Sequence, residues 1–194
     1  TAERARDIPL RHVRVVSRPH RGKGAILSAC IREAQGELVA FIDADLEIPP
    51  RYLRNLLTAV GNGSDIAIGS KTMDPDAAGR RPVSRRLATL GFNGLVWLLF
   101  RSPIHDHQAG IKLFNRAQVT AVLDDVQSAG WLWDTEVLLR LVRRGYGVTE
   151  IPVLTRPTRV TKVSMVRTSW EMFRGLLGLY FVLRRDRAGD RHAA

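Results

Sequence analysis

An unbroken apolar run, Leu-Val-Ala-Phe-Ile at 38–42, is closed at once by Asp43-Ala-Asp45. A run this short and this apolar predicts a parallel strand covered on both faces, and such strands belong to sheets flanked by helices. The neighbouring segments agree. Residues 12–17 (HVRVVS) alternate weakly and predict a strand, and 21–35 predict a helix carrying Ala25, Ile26, Ala29 and Ile31, ended by Gly36. Pro49 and Pro50 open a helix that runs to about Val60, Gly61 and Gly63 close it, and 65–68 form a short strand ending at Gly69. Farther along, 111–114 read as a strand, 116–123 and 134–144 as helices, and 148–153 as a strand entered through Gly145 and Gly147. The alternation predicts an α/β, Rossmann-like three-layer domain with a mostly parallel sheet.

Between these units, 71–82 are rich in Asp, Pro, Gly and Arg and predict a surface loop, after which Ser84 is placed to cap a helix reaching Phe100. That helix is apolar around nearly its whole circumference, with Arg80, Arg81, Arg85 and Arg86 at its start. Such a helix belongs in a core or at a membrane interface, and arginines there oppose the helix dipole unless an anion sits among them. Near the end of the chain, Thr168 and Glu171 have the spacing of a capping box, and Trp170, Phe173, Leu177 and Phe181 follow at helical intervals up to Arg184, Arg185 and Arg187, with a loose polar tail beyond. We therefore divide the chain into a catalytic-type domain at 1–165 and an amphipathic helix with its tail at 166–194.

Thirty Lys and Arg against 19 Asp and Glu give a formal charge of +11, which favours anionic partners: nucleic acid, acidic lipid or phosphorylated substrates. No nucleic-acid recognition motif accompanies the charge, and the basic residues alternate with aliphatic helices instead of aromatic stacking strands. The single cysteine, Cys30, excludes an internal disulfide and fits a reducing, cytoplasmic compartment. No apolar stretch approaches the roughly 20 residues needed to span a bilayer.

Asp43 and Asp45 lie just past the buried run, where residues two apart project to the same side, so both carboxylates can face one divalent cation; hard oxygen ligands suit Mg2+ or Mn2+. An isolated Asp-x-Asp is more often a pair of surface turn aspartates, but in open α/β sheets ligands bind at the carboxyl ends of strands, where this pair falls. Arg21-Gly-Lys-Gly lacks the Ser or Thr of a P-loop, which disfavours an ATPase. His105-Asp106-His107 has no convincing third zinc ligand. A phosphatase with Asp43 as nucleophile is disfavoured by Leu46 and Glu47, which stand where Gly or Ser and Thr are wanted.

Taken in order, Arg21-Gly-Lys-Gly-Ala, Leu38-Val-Ala-Phe-Ile-Asp-Ala-Asp-Leu with Pro49-Pro50, Gly69-Ser-Lys, Asp106-His-Gln-Ala-Gly-Ile-Lys-Leu-Phe, Trp131-Leu-Trp-Asp-Thr-Glu and Glu150-Ile-Pro-Val resemble a family 2 glycosyltransferase. More narrowly, the chain resembles the dolichyl or polyprenyl phosphate sugar synthases from about residue 13 to 162, leaning to the glucosyl branch. The resemblance implies a GT-A fold in which Asp43 and Asp45 hold Mg2+ or Mn2+, with Glu47 as a further ligand. It implies that Arg21 and Lys23 lie against the nucleotide, that Asp106, Gln108, Asp134 and Glu136 line the donor sugar, and that Lys71, Arg80, Arg81 and Ser84 bind the acceptor phosphate. Arg159 and Lys162 resemble a late basic pair that closes over the phosphates. The implied reaction is inverting sugar transfer from UDP-glucose or GDP-mannose to a polyprenyl or dolichyl phosphate by a peripheral enzyme at the cytoplasmic face of a membrane, without nucleic acid as a partner. The chain starts at Thr1, and no counterpart of the family's opening strand and Pro-x-Tyr-Asn-Glu segment precedes Val13, so a missing upstream piece is expected. The rival readings are a catalytically incomplete transferase and a basic nucleic-acid-binding module.

Overall fold

The computed structural model describes residues 14–19, 21–73, 83–155 and 165–190. In chain order the elements are α1 (Lys23–Glu33), β1 (Leu38–Ile42), a 3-10 turn (Pro50–Tyr52) leading into α2 (Leu53–Gly61), β2 (Ile66–Ser70), α3 (Val83–Phe100), β3 (Ile111–Asn115), α4 (Arg116–Leu123), α5 (Trp133–Arg143), β4 (Val148–Pro152) and α6 (Met165–Asp190). Local chemistry explains several boundaries. Asn115 ends β3 and caps α4 in the same step, its Oδ1 accepting the N–H groups of Ala117 at 3.0 Å and Gln118 at 3.4 Å. Gly22, at φ 99°, turns the chain into α1 in a conformation that disfavours any side chain.

The strands form one sheet in the order β1-β3-β2-β4. β2 and β4 are parallel, whereas β3 runs antiparallel to both of its neighbours, with Ile42 opposite Ile111 and Ile68 opposite Lys112. The sheet is therefore mixed, not mostly parallel. β1 also differs from expectation: its only strand partner among the described residues is β3, and Leu38 is 37% exposed. None of the five residues of β1 is fully buried, so the run predicts the strand but neither its coverage on both faces nor the direction of its neighbour. Residues 14–17 form no strand, and 12–13 lie outside the described residues.

The expected three layers are present. On one face Ile66, Ile68 and Phe114 pack with Ile31 of α1, Val119 of α4 and Trp133, Val137 and Leu141 of α5. On the other face Ala67, Ile111 and Leu113 meet Leu56 of α2, Ile48 and Val153. Strand alternation assigns the two sets. A third cluster joins Val96 of α3 to Leu176, Leu179 and Leu183 of α6, with Leu139 of α5 beneath them. Only one stripe of α3 is covered in this way: Leu87, Leu90, Trp97 and Leu98 remain more than half exposed, as do Trp170 and Phe181 on α6.

Both expected N-caps are displaced. Val83 is already helical, so Ser84 lies within α3, and Thr168 lies inside α6, which begins at Met165 and continues to Asp190 where a loose tail was expected.

Candidate active site

The carboxyl ends of β1 and β2 and the entry to β3 meet at one edge of the sheet, and the polar side chains converge there. The Asp43 N–H donates to the carbonyl of Gly110 at 2.8 Å, which ties the end of β1 to the start of β3. A Cβ at Gly110 would stand 2.8 Å from Asp43 Oδ2, so glycine lets this carboxylate lie against the backbone of the loop. Asp45 is exposed, and its Oδ1 accepts the Glu47 N–H at 3.1 Å in a tight turn that forces Leu46 to φ 51°.

Behind the aspartates runs a line of alternating charge. Lys112, on the buried face of β3, donates to Asp134 Oδ1 at 2.7 Å and to the Ala109 carbonyl at 2.6 Å, and neither Lys112 nor Asp134 has solvent-exposed side-chain surface. Asp134 Oδ2 in turn lies 3.1 Å from Lys23 Nζ, which is 3.0 Å from Asp43 Oδ1. Phe41 is shared by the two ammonium groups at 5.1 and 5.0 Å from its ring centre, and Trp131 stands 5.5 Å from Lys23. Burial alone would lower the Lys23 pKa, but Asp134 and Asp43 together raise it above the usual lysine value. For Lys112 burial wins over Asp134, and its pKa is lowered.

The loop entering β3 supplies the next set. Asp106 is fully buried; its Oδ2 accepts the Lys71 N–H at 2.9 Å, while Oδ1 has no hydrogen-bond partner among the described residues. Lys71 Nζ reaches the Gln108 carbonyl at 3.4 Å, and the Gln108 amide donates to Thr135 Oγ1 at 2.9 Å and the Trp131 carbonyl at 3.2 Å. Glu150 of β4 holds this loop by accepting the N–H groups of His105 at 2.8 Å and Asp106 at 3.0 Å. His107 turns inward, with Nε2 2.9 Å from Ser102 Oγ, and burial, reinforced by Lys112, lowers its pKa to about 3. His105 and His107 thus serve separate partners.

Of the residues singled out from sequence, Lys23, Asp43 and Asp134 form one contact chain; Lys71, Asp106 and Gln108 form a second beside it. Arg21 is exposed just ahead of α1, and Ser84 is exposed on the first turn of α3. Glu136 is fully buried and turned to another task, accepting the N–H groups of Gln127 at 3.1 Å and Ser128 at 2.8 Å and pairing with Arg140 at 2.9 Å. Arg80, Arg81, Arg159 and Lys162 lie outside the described residues. Lys112, Gly110 and Glu150 received no role from sequence. The lysine was detectable, since alternation puts it on the same strand face as Phe114, where a charge demands a partner.

The donor set suits a hard divalent ion: two carboxylates, Asp43 and Asp45, just past a strand end. Among the described residues, no three His, Cys, Asp or Glu side chains converge into a ready metal cluster.

Residues 1–124 match the family model described as glycosyl transferase family 2. Glycosyltransferase AglD of Haloferax volcanii is 40% identical over 164 residues, covering 84% of this chain and 26% of that protein. The dolichyl-phosphate beta-glucosyltransferase of Saccharomyces cerevisiae is 27% identical, covering 81% of this chain and 51% of its own length. The chain thus spans about a quarter and about half of these two relatives. Among solved structures, glucosyl-3-phosphoglycerate synthase of Mycobacterium tuberculosis, in complex with Mn2+, UDP and phosphoglyceric acid, superposes with a TM-score of 0.64 at 18% identity, covering 86% of this chain and 56% of that one. That likeness establishes the GT-A fold.

Proposed function

The chain belongs to glycosyl transferase family 2, and from that premise we propose that it transfers a sugar from a nucleotide sugar to a polyprenyl or dolichyl phosphate with inversion at the anomeric carbon. The observation that carries the proposal is the gathering of Asp43 with Lys23 and of Lys71 with Asp106 and Gln108 at the strand ends, Asp45 standing two residues beyond Asp43. Carboxylates there suit a cation on a diphosphate, and lysines suit phosphate oxygens. The relatives named above, one of them a dolichyl-phosphate beta-glucosyltransferase, support the lipid phosphate as acceptor and UDP-glucose ahead of GDP-mannose as donor.

An oxygen of the acceptor phosphate attacks the anomeric carbon as the bond to the nucleoside diphosphate breaks, and the leaving diphosphate keeps the bonding electrons. The acceptor is already an anion, so positioning and charge neutralisation contribute more than a general base. Asp43 and Asp45 would hold Mg2+ or Mn2+, with Glu47 beside them; when bound, the ion supplies positive charge to the departing diphosphate. Lys71 is assigned to the acceptor phosphate and Gln108 to the sugar, and the buried Asp106 acts by holding the Lys71 backbone in place. Glu136 acts in this reading by fixing the 127–128 loop, and Asp134 by holding Lys23.

No helix among the described residues is long and apolar enough to cross a membrane. The exposed apolar stripes of α3 and α6 support a peripheral position at the cytoplasmic leaflet, where a lipid-borne phosphate is presented. The test is transfer of labelled sugar from UDP-glucose or GDP-mannose into an organic-extractable polyprenyl phosphate product. Label that requires Mg2+ or Mn2+ and disappears in Asp45→Asn is the expected result; no transfer by the folded chain from either donor overturns the assignment.

A further inference from the structure

Resting on the reading above, we propose that Lys23 is a resident counter-cation that occupies Asp43 until a nucleoside diphosphate arrives, so that the divalent ion is taken up together with the nucleotide and not ahead of it.

Charge balance within the cluster leads to this conclusion. Lys112 and Lys23 carry two positive charges, and Asp134 and Asp43 carry two negative ones, in an unbroken chain of contacts of 2.7, 3.1 and 3.0 Å. These four residues are neutral among themselves, and Asp45, two residues beyond Asp43, adds one negative charge, fewer than the charges a divalent ion brings. A divalent ion placed on Asp43 would share that carboxylate with the ammonium already there and face it at short range, in a setting partly withdrawn from water where like charges repel strongly. A diphosphate brings the missing negative charge and gives the ammonium new oxygen partners.

The two lysines are not equivalent in this respect. Lys112 is sealed and fixed by both Asp134 and the Ala109 carbonyl, while Lys23 retains 19% side-chain exposure and contacts Asp43 on the open side of the array. Lys23 can therefore exchange one carboxylate for a phosphate while Asp134 and the faces of Phe41 and Trp131 keep it close. The structural consequence is reciprocal coupling: nucleotide strengthens metal binding by withdrawing the lysine, and metal strengthens nucleotide binding by the same factor.

The test measures binding, not turnover. Binary Mn2+ affinity is read from the EPR signal of the free ion, and nucleotide-dependent uptake by equilibrium dialysis of Mn2+ with UDP or GDP, for the unaltered chain and for Lys23→Met and Lys23→Gln. The unaltered chain is expected to bind Mn2+ at least about tenfold more tightly with nucleotide than without, and both variants to gain about tenfold in binary Mn2+ affinity while losing nucleotide-dependent uptake. A merely structural lysine would not move the two affinities in opposite directions. Unchanged or weaker binary affinity in the variants overturns the proposal while leaving the transferase reading intact. If neither variant folds, equal Mn2+ affinity with and without nucleotide in the unaltered chain overturns it. Absence of any Mn2+ uptake, with UDP and with GDP, overturns both.

Discussion

Lys112 is the residue whose environment is most demanding, a fully buried ammonium on a sheet strand with one carboxylate opposite it. Removing one member of a buried pair leaves the other charged and unsolvated, which costs about 3 to 5 kcal/mol. Asp134→Asn is accordingly expected to lower unfolding free energy by about 3 kcal/mol, toward the lower end because Lys112 can shed its proton, whose pKa burial already lowers. Urea denaturation at neutral pH checks this, and Lys112→Met combined with Asp134→Leu should recover much of the loss. His107 makes a pH-dependent contribution. Its folded pKa is lowered to about 3 from 6.5, so its stabilisation is complete above 6.5 and is lost as pH falls toward 3. Between pH 6.5 and 5, above most carboxylate titration, the loss is about 2 kcal/mol. A His107→Gln variant should show a flatter stability profile over that interval, and an unchanged slope would mean that His107 is not the group responsible.

At the scale of elements, the run at 38–42 and the helix at 116–123 have the boundaries expected from their sequence, because an apolar strand and a helix capped by Asn115 are specified locally. Strand direction is not specified locally. β3 follows the long α3 and a loop, and nothing in Ile111-Lys-Leu-Phe distinguishes an antiparallel return from another parallel strand, so the mixed sheet emerges only from tertiary pairing. The site behaves similarly: Asp43 and Asp45 are adjacent in sequence, whereas the partnership of Lys23 with Asp134 joins α1 to α5 and has no local signature. Glu136, two residues and about 200° around the helix from Asp134, points to the other side and faces the 127–128 loop. The seat of α1 on α5 yields a prediction. Gly24 packs directly against the Trp133 side chain, whose Nε1 donates to Ser28 Oγ at 2.7 Å, so a methyl group must push the two helices apart. Gly24→Ala should cost about 1 to 3 kcal/mol by overpacking. Gly94 on α3 has open space around its Cα, and Gly94→Ala should instead stabilise by about 0.5 to 1 kcal/mol through helix propensity. Thermal or urea unfolding of the two variants separates packing from backbone effects, since propensity alone would make both stabilising.

Across the whole molecule, the apolar surface left uncovered lies mainly on the paired α3 and α6, away from the two clusters that sandwich the sheet. The circumferential apolarity of α3 is legible in sequence, but which half is covered is decided by α6, whose Leu176, Leu179 and Leu183 pack on Val96. What remains is amphipathic in detail. The Arg101 guanidinium lies 4.5 Å from the Trp97 ring centre, and Trp170 stacks on Phe173 at 5.7 Å, with Arg184 and Arg185 exposed at the far end of the same helix. Aromatic rings beside arginines suit the boundary between headgroups and acyl chains. The formal charge of +11 adds a long-range attraction to an anionic leaflet, about 1 kcal/mol for each Lys or Arg that comes near the surface. Salt screens this second contribution and leaves the apolar one, so the two can be measured separately. In cosedimentation with vesicles, the chain is expected to bind phosphatidylglycerol-containing membranes and to weaken steeply as NaCl rises from about 0.05 to 0.5 M, where the Debye length falls several-fold. Trp97→Ser with Phe181→Ser removes two exposed anchors, each contributing about 1.5 to 3 kcal/mol if fully inserted, and should reduce binding at every salt concentration without altering its salt slope. Equal binding to uncharged phosphatidylcholine vesicles would show that charge plays no part. Binding unaffected by the double substitution would mean that the apolar face of α3 and α6 is not the surface that meets the lipid.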